Sequence, residues 1–334
     1  MHKKLQAELF DAGKIAPGTK ESLVLSFSTV EGPDGQIPLH IVKGSEPGPT
    51  MLVLAAVHGD EYEGVHTLIE LCRELHPKDI RGTLLMVPIT NLLSYYGASR
   101  ETPEDGCNLA REFPGKQDGT VTQRLAWHLD RSLIAKADFL LDLHSGGANY
   151  AVPELVGYYH NDDDEVGRRS RAAAEAFGME ILWAHPELNP GRTVSAATEH
   201  GVPWLYTEGF GGKRIKPEEQ KRYRSGTLRI MNHLGMLLQP EEWIQEEAPP
   251  IRYRLMGDGN FDLSVTAEVE GFFIPTVKLL DQVAEGDRIG AVYDWFGEEL
   301  QIFKAYGDGL VVGMAGTPMV QKGSVIYTLT TVHN

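Results

Sequence analysis

Four side chains stand where apolar runs break off, and their types suit one kind of chemistry. The run Met51–Val57 ends in His58-Gly59-Asp60-Glu61, and "LLDLHSGG" ends in His144 and small residues. His58 closes a strand and Glu61 opens the helix after it, so both can converge on one point. That point suits a divalent cation with one nitrogen and one carboxylate ligand, and His144 from a neighbouring strand end supplies the third. Three ligands leave a position open for water, the catalytic rather than the structural arrangement of zinc. Manganese or cobalt would fit the same donors, since geometry and availability decide that choice. One Zn2+ per chain is the expectation.

Hydrolysis also needs a base, because a nearby carboxylate must take and redeliver the proton of the attacking water. Glu208 in "VPWLYTEGFGG" is the candidate: a third apolar run breaks there into a carboxylate and glycines. Asp142, two residues before His144, suits orienting the imidazole from behind. Each residue also has a plain structural reading. Asp60 and Glu61 would complement a helix N-terminus, His144 would fit a core, Asp142 a salt bridge, and Glu208 would cap a turn. The coincidence of several such tips favours the metal reading.

The elements that must position these residues follow from periodicity. "SLVLSFSTV" and "IPLHIVKG" alternate as antiparallel strands do, with a turn predicted at "EGPDGQ". Continuous apolar runs at 51–57, in "GTLLMVPIT" and in "DFLLDLH" suit strands buried on both faces. "ELVGYYH" and "VPWLYTEGF" add two more. Between them, "EYEGVHTLIELCREL", "TVTQRLAWHLDRSLIAKA", "DDDEVGRRSRAAAEAFG" and "KPEEQKRYRSGTLRIMNHLGMLL" carry helical spacing. Strands alternating with helices predict an α/β sheet covered on both faces. After the acidic, Pro-containing "QPEEWIQEEAPP", short strands alternate with Gly turns. The expected division is a catalytic α/β domain with N-terminal strands over 1–240 and a small all-β domain over 251–334. The latter lacks the Met-Lys-Met hairpin of a carrier domain, so a structural or gating role is expected.

Composition removes other classes. The 334 residues carry a formal charge of −16, which repels phosphate and anionic membranes, so neither nucleic acid nor membrane is an expected partner. No apolar run approaches the roughly 18–20 residues of a bilayer span. The start "MHKKLQAELFDAGK" lacks the apolar core of a signal peptide. Two cysteines, Cys72 and Cys107, imply no disulfide framework, which together predict a cytoplasmic protein. "NDDDE" lacks the periodicity of a calcium loop and reads as a helix start. The glycines match no nucleotide fingerprint. His66, His128 and His233 read as packing or surface residues.

"HGDE", the stretch R-x-x-P-x-D-G-x-N-L-x-R-x-F-P-G from Arg100 to Gly115, "DLHSGG" and "TEGFGG" occur in one order. Together they resemble the succinylglutamate desuccinylase/aspartoacylase family of zinc deacylases, relatives of the zinc carboxypeptidases. The resemblance spans roughly residues 25 to 330. It implies a carboxypeptidase-like mixed sheet flanked by helices, and zinc on His58, Glu61 and His144. It implies Glu208 as general base and then acid, and Arg100 as the group that polarises the scissile carbonyl. Arg111 would pair with a substrate carboxylate. Arg192 falls where the family places another substrate-binding arginine. The family commonly has Asn-Arg where this chain reads Ala110-Arg111, which points away from either namesake activity; Asn108, two residues off, is the candidate substitute. The expected substrate is a small N-acylated amino acid or related amide, and a deacylation screen for it would include acetylated diamino acids. The rivals are a carboxypeptidase on short peptides and a non-catalytic metal- or ligand-binding protein. A homo-oligomer remains open.

Overall fold

The computed structural model describes residues 2–29, 33–257 and 259–332. The first two residues of the turn expected at "EGPDGQ", Glu31 and Gly32, lie outside them. One mixed sheet forms the frame. Its strands, in chain order, are β1 (Lys3–Gln6), β2 (Thr19–Phe27), β3 (Gly35–Lys43), β4 (Thr50–Ala55) and β5 (Thr83–Val87). They continue with β6 (Phe139–Leu143), β7 (Tyr150–Ala151), β8 (Leu155–Tyr159), β9 (Ile181–His185), β10 (Trp204–Glu208) and β11 (Tyr253–Met256). The helices are α1 (Glu63–Glu74), α2 (Leu92–Gly97), α3 (Val121–Ser132), α4 (Glu165–Phe177), α5 (Thr193–Glu199) and α6 (Pro217–His233). The spatial order β1-β2-β3-β5-β4-β6-β10-β8-β9-β11 has a parallel centre, β5-β4-β6-β10, bounded by the antiparallel pairs β3-β5 and β10-β8, with β8-β9 and β9-β11 parallel again beyond.

The continuous apolar runs are explained by two cores. Along β4, Met51, Val53 and Ala55 enter the core under α1, α4 and α6, while Leu52 and Leu54 enter the one under α3 and α5. Val65, Leu68 and Leu71 are the buried stripe of α1. Burying such a side chain stabilises by about 1.5–3 kcal/mol, so alternate residues of one strand hold opposite layers in place. Gly64 lets α1 lie close on the frame: a Cβ there would come within 2.6 Å of Leu143 and 2.8 Å of Ala55.

Helix starts follow local chemistry. Thr120 and Gln123 form a capping box on α3, and Asp164 accepts from Gly167 N at the start of α4, where "NDDDE" was expected to begin a helix. Three elements have no clear periodic signal: the two-faced strand β9 and the short helices α2 and α5. In α5, "TVSAATE" mixes β-branched and small residues that favour no single state.

The C-terminal region is all strand apart from one 3-10 turn, Phe261–Leu263. It is not free-standing. β11 pairs in parallel with β9, and strand Val325–Val332 pairs with β11, so the frame continues past residue 251. A separate four-stranded antiparallel sheet is built from 271–275, 288–293, 299–304 and 319–320. Among the described residues no helix is long and apolar enough to cross a membrane.

Candidate metal centre and substrate cavity

β4, β6 and β10 are neighbours and run in the same direction, with Leu54 level with Asp142 and Asp142 level with Tyr206. Their carboxyl ends therefore open at one height. His58 and Glu61 follow β4, His144 follows β6, and Glu208 ends β10. Donor atoms of His58, Glu61 and His144 lie within 4.8 Å of one another. Two imidazoles and a carboxylate in a buried cluster form a donor set that fits zinc; no other group of three such residues gathers among the described residues.

Two glycine turns hold the tips together. Gly146 N donates to Gly209 O at 3.0 Å and Gly212 N to Gly147 O at 2.7 Å, tying the loop after His144 to the loop after Glu208. Gly147 has φ +55°, and a Cβ on it would meet the Asp60 carboxylate at 2.7 Å. That carboxylate accepts from Ala148 N at 2.8 Å, so Asp60 serves the loop rather than the cluster. The backbone carbonyl of His144 accepts hydrogen bonds from the hydroxyls of Tyr223 and Thr207.

The side chains are locked in turn. Glu61 Oε2 lies 2.9 Å from His144 Nδ1 and accepts from Ser145 N at 3.1 Å, while Oε1 is 3.5 Å from Arg100 Nη1. His144 Nε2 lies 3.0 Å from Asp142 Oδ2, and that carboxylate also accepts from the Thr193 hydroxyl. Asp142 is fully buried, so it backs the imidazole as the sequence suggested. His58 Nδ1 is 3.3 Å from the carbonyl oxygen of Arg100.

Protonation follows these surroundings. Burial, helped by the Arg100 charge, holds His58 well below the usual imidazole range, which leaves it neutral and fit to ligate. Burial works the same way on His144, but the Asp142 and Glu61 carboxylates override it and raise it well above that range. Burial also raises Glu61 against the pull of His144 and Arg100. Glu208 is pushed up to about 8, first by burial and then by the nearby Glu61 charge. A carboxylic acid tuned toward neutral pH is what a proton shuttle requires.

A cavity of about 810 Å3, counted out to its mouth, opens over the cluster and is lined by His58, Glu61, Arg100, Arg111, His144, Arg192 and Glu208. Arg100 also lies over the Tyr150 ring, 5.1 Å from the centroid. Ala110 lines the wall. Asn108 does not: its Oδ1 accepts from Ala110 N at 3.0 Å and caps the turn Leu109–Arg111.

Sequence reading missed the wall opposite the cluster. There His185 sits between the carbonyl of Gly257 and the hydroxyl of Tyr206, each 2.7 Å away, and Gly259 and Phe261 reach in from the C-terminal region. Asp262 holds Arg111 in a two-point fork, and Asn260 accepts from Arg192 Nη2 at 3.1 Å. No local motif marks these residues; "GNFDL" alone reads as a surface turn.

Comparison with known proteins finds a family model and several relatives. The model of the succinylglutamate desuccinylase/aspartoacylase catalytic domain matches residues 47–234. An N-alpha-acetyl-L-2,4-diaminobutyric acid deacetylase from Halomonas elongata is 33% identical over 299 residues, 89% of this chain and 86% of the relative. A succinylglutamate desuccinylase structure from Silicibacter sp. TM1040 superposes with TM-score 0.84 at 27% identity, covering 96% of each chain. The product-bound ectoine utilization protein EutE (DoeB) from Ruegeria pomeroyi gives TM-score 0.82 at 28% identity over 94% of this chain and 95% of that one.

Proposed function

The chain belongs to the succinylglutamate desuccinylase/aspartoacylase family, and from that premise we propose a zinc-dependent deacylase that frees a small amino acid, a diamino acid foremost, from its N-acyl group. Its relatives are hydrolases of amide bonds. The observation that carries the reading is the meeting of His58, Glu61 and His144 at three adjacent strand ends, with Glu208 on the same cavity.

His58, Glu61 and His144 would hold the cation. A zinc ion there supplies Lewis acidity that lowers the pKa of water toward about 7 and polarises an amide carbonyl. The chain does the rest. The Glu208 carboxylate takes a proton from the attacking water, whose oxygen bonds to the carbonyl carbon. Arg100 faces the negative charge that develops on the carbonyl oxygen and stabilises it. As the C–N bond breaks, Glu208 returns the proton to the leaving nitrogen, giving a carboxylate and a free amine. Asp142, fixed by Thr193, keeps the His144 ring in place. Ala110 presents a methyl group where the family's asparagine would help bind a carboxylate, which favours leaving amines other than aspartate and glutamate.

The test is a panel offered to zinc-loaded protein with released amine as readout. N-acetyl-2,4-diaminobutyrate should be hydrolysed, and N-acetylaspartate, N-succinylglutamate and short peptides should be poor substrates. Turnover of peptides alone would replace this reading with a carboxypeptidase, and stoichiometric zinc without turnover would point to a binding protein.

A further inference from the structure

An arginine guanidinium carries about five N–H donors, and a buried one ordinarily spends them. Arg111 does so here. Asp262, itself half exposed, takes two in a fork, and the Ala110 carbonyl takes a third at 2.8 Å. Arg100 does not, although only 15% of its side chain is exposed. Among the described residues its guanidinium meets one carboxylate and one aromatic ring. Glu61 Oε1 stands 3.5 Å from Nη1, beyond the roughly 2.7–3.2 Å of a good hydrogen bond. The Tyr150 ring lies under the group, its centroid 5.1 Å from Cζ. A ring face attracts a cation without consuming a donor. The N–H groups thus stay available for an oxygen that gains negative charge, and they need no rearrangement when that charge appears.

The ring is fixed by main chain and by other rings. Tyr150 N donates to Gly146 O at 3.0 Å. Tyr150 and Ala151 form β7, which pairs with Ala315 and Met314 of strand Gly309–Ala315. Gly316 N donates to Asn149 O at 3.0 Å, and a Cβ on Gly316 would come within 2.4 Å of Ala148 O and 2.7 Å of Tyr150 N. That approach is open only to glycine, and it presses the C-terminal region directly onto β7. Phe261 packs against the Tyr150 ring at 5.3 Å between centroids, and Trp183 stands edge-on to Phe261 at 5.9 Å. Arg100, by contrast, is a long side chain carried on the loop after α2. A mobile group is therefore laid on a surface that the frame holds still.

We infer that Tyr150 is a positioning residue: the face of its ring holds the Arg100 guanidinium beside the cluster and leaves the N–H groups for the carbonyl oxygen of the substrate. This rests on the role given to Arg100 in the deacylase reading and adds what keeps that group in place.

The experiment follows kcat and KM for N-acetyl-2,4-diaminobutyrate. Tyr150→Leu should lower kcat about 3- to 30-fold with little change in KM, the reach of one contact between a cation and a ring. Tyr150→Phe keeps the face and loses only the hydroxyl, so it should retain most of the rate. In an Arg100→Met background, Tyr150→Leu should add less than about twofold, because the ring has lost the group it holds. A second readout needs no turnover. In protein with isotope-labelled arginine, the Arg100 Nε–H resonance is identified by its absence from Arg100→Met. Ring shielding should place it upfield in the parent and in Tyr150→Phe, and Tyr150→Leu should return it to the ordinary arginine position.

Equal loss of rate in the Phe and Leu variants would assign the work to the hydroxyl. Losses from Arg100 and Tyr150 that simply multiply would separate the ring from the guanidinium. Either result would overturn the inference and leave the deacylase intact. A parent that hydrolyses no amide would instead sink the deacylase reading, and the Arg100 resonance alone would then decide whether Tyr150 holds it.

Discussion

The two halves of the cavity are built by different means. His58, Glu61, His144 and Glu208 hang from adjacent parallel strand ends, and glycine turns and backbone hydrogen bonds fix their height. Arg111, Arg192, Asn260 and Asp262 stand between the main strands and pair across long stretches of chain: Arg111 and Asp262 are 151 residues apart, Arg192 and Asn260 are 68. The first half depends on the main-chain frame, which few substitutions can alter without loss of the fold. The second depends on side-chain pairs that single substitutions can exchange. On the proposed function, chemistry would rest on the rigid part and selectivity on the exchangeable part, a division that would let one frame serve several leaving amines.

Substitutions in the two halves should differ in kind. The largest effect is expected from Glu208→Gln, which keeps shape but cannot shuttle a proton: turnover should drop by about 10²–10⁴ with zinc content unchanged by metal analysis. Unchanged turnover would remove Glu208 from the reaction. Next, Arg100→Met should lower kcat by about 10²–10³ with a smaller change in KM, since the guanidinium acts on charge that develops during reaction. A change confined to KM would move Arg100 into the recognition half. Asp142→Asn should leave both substrate constants of fully loaded enzyme nearly intact while weakening zinc binding about 10- to 100-fold in a chelator competition. Undiminished affinity would mean that Asp142 supports the fold and not the ring.

This contrast also explains what could be read from the chain alone. Strand ends broken by His58, His144 and Glu208 are local patterns, and parallel neighbours bring such ends together without further information. The alternation into two cores is equally local, which made the α/β frame legible. The fork between Arg111 and Asp262 is chosen by tertiary pairing, and neither residue's neighbours in sequence announce it. Asn108 shows the same limit from the other side: it stands two residues from Ala110 and is the sequence candidate to replace the family's asparagine there, but its short side chain finds the N–H two residues on and closes a turn. β11 continues the frame because its partner β9 has a free edge, a fact of topology rather than of composition.

The smallest expected effect separates the halves by the sign of their pH dependence. The Arg111 fork holds Asp262 below the ordinary aspartate range, against partial burial and with help from the Arg111, Arg192 and Arg100 charges. Its contribution to stability is present above the unfolded pKa, near 3.9, and is lost as pH falls through the lower folded value. Glu208, raised to about 8 by burial and by Glu61, behaves oppositely in protein stripped of metal. Its folded form keeps a proton that the unfolded chain gives up near 4.5, so its contribution is full at acid pH and fades as pH rises toward about 8. Urea unfolding of metal-free protein across pH 4–9 should therefore show the gap between parent and Asp262→Asn as flat above about pH 5. The gap between parent and Glu208→Gln should slope steadily toward the variant's advantage. Because Asp262 is half exposed, its gap should be small and should shrink with salt, while the Glu208 slope, arising in a buried cluster, should hardly respond. Two parallel slopes would mean that both halves share one electrostatic environment, and the division between frame and loops would fail.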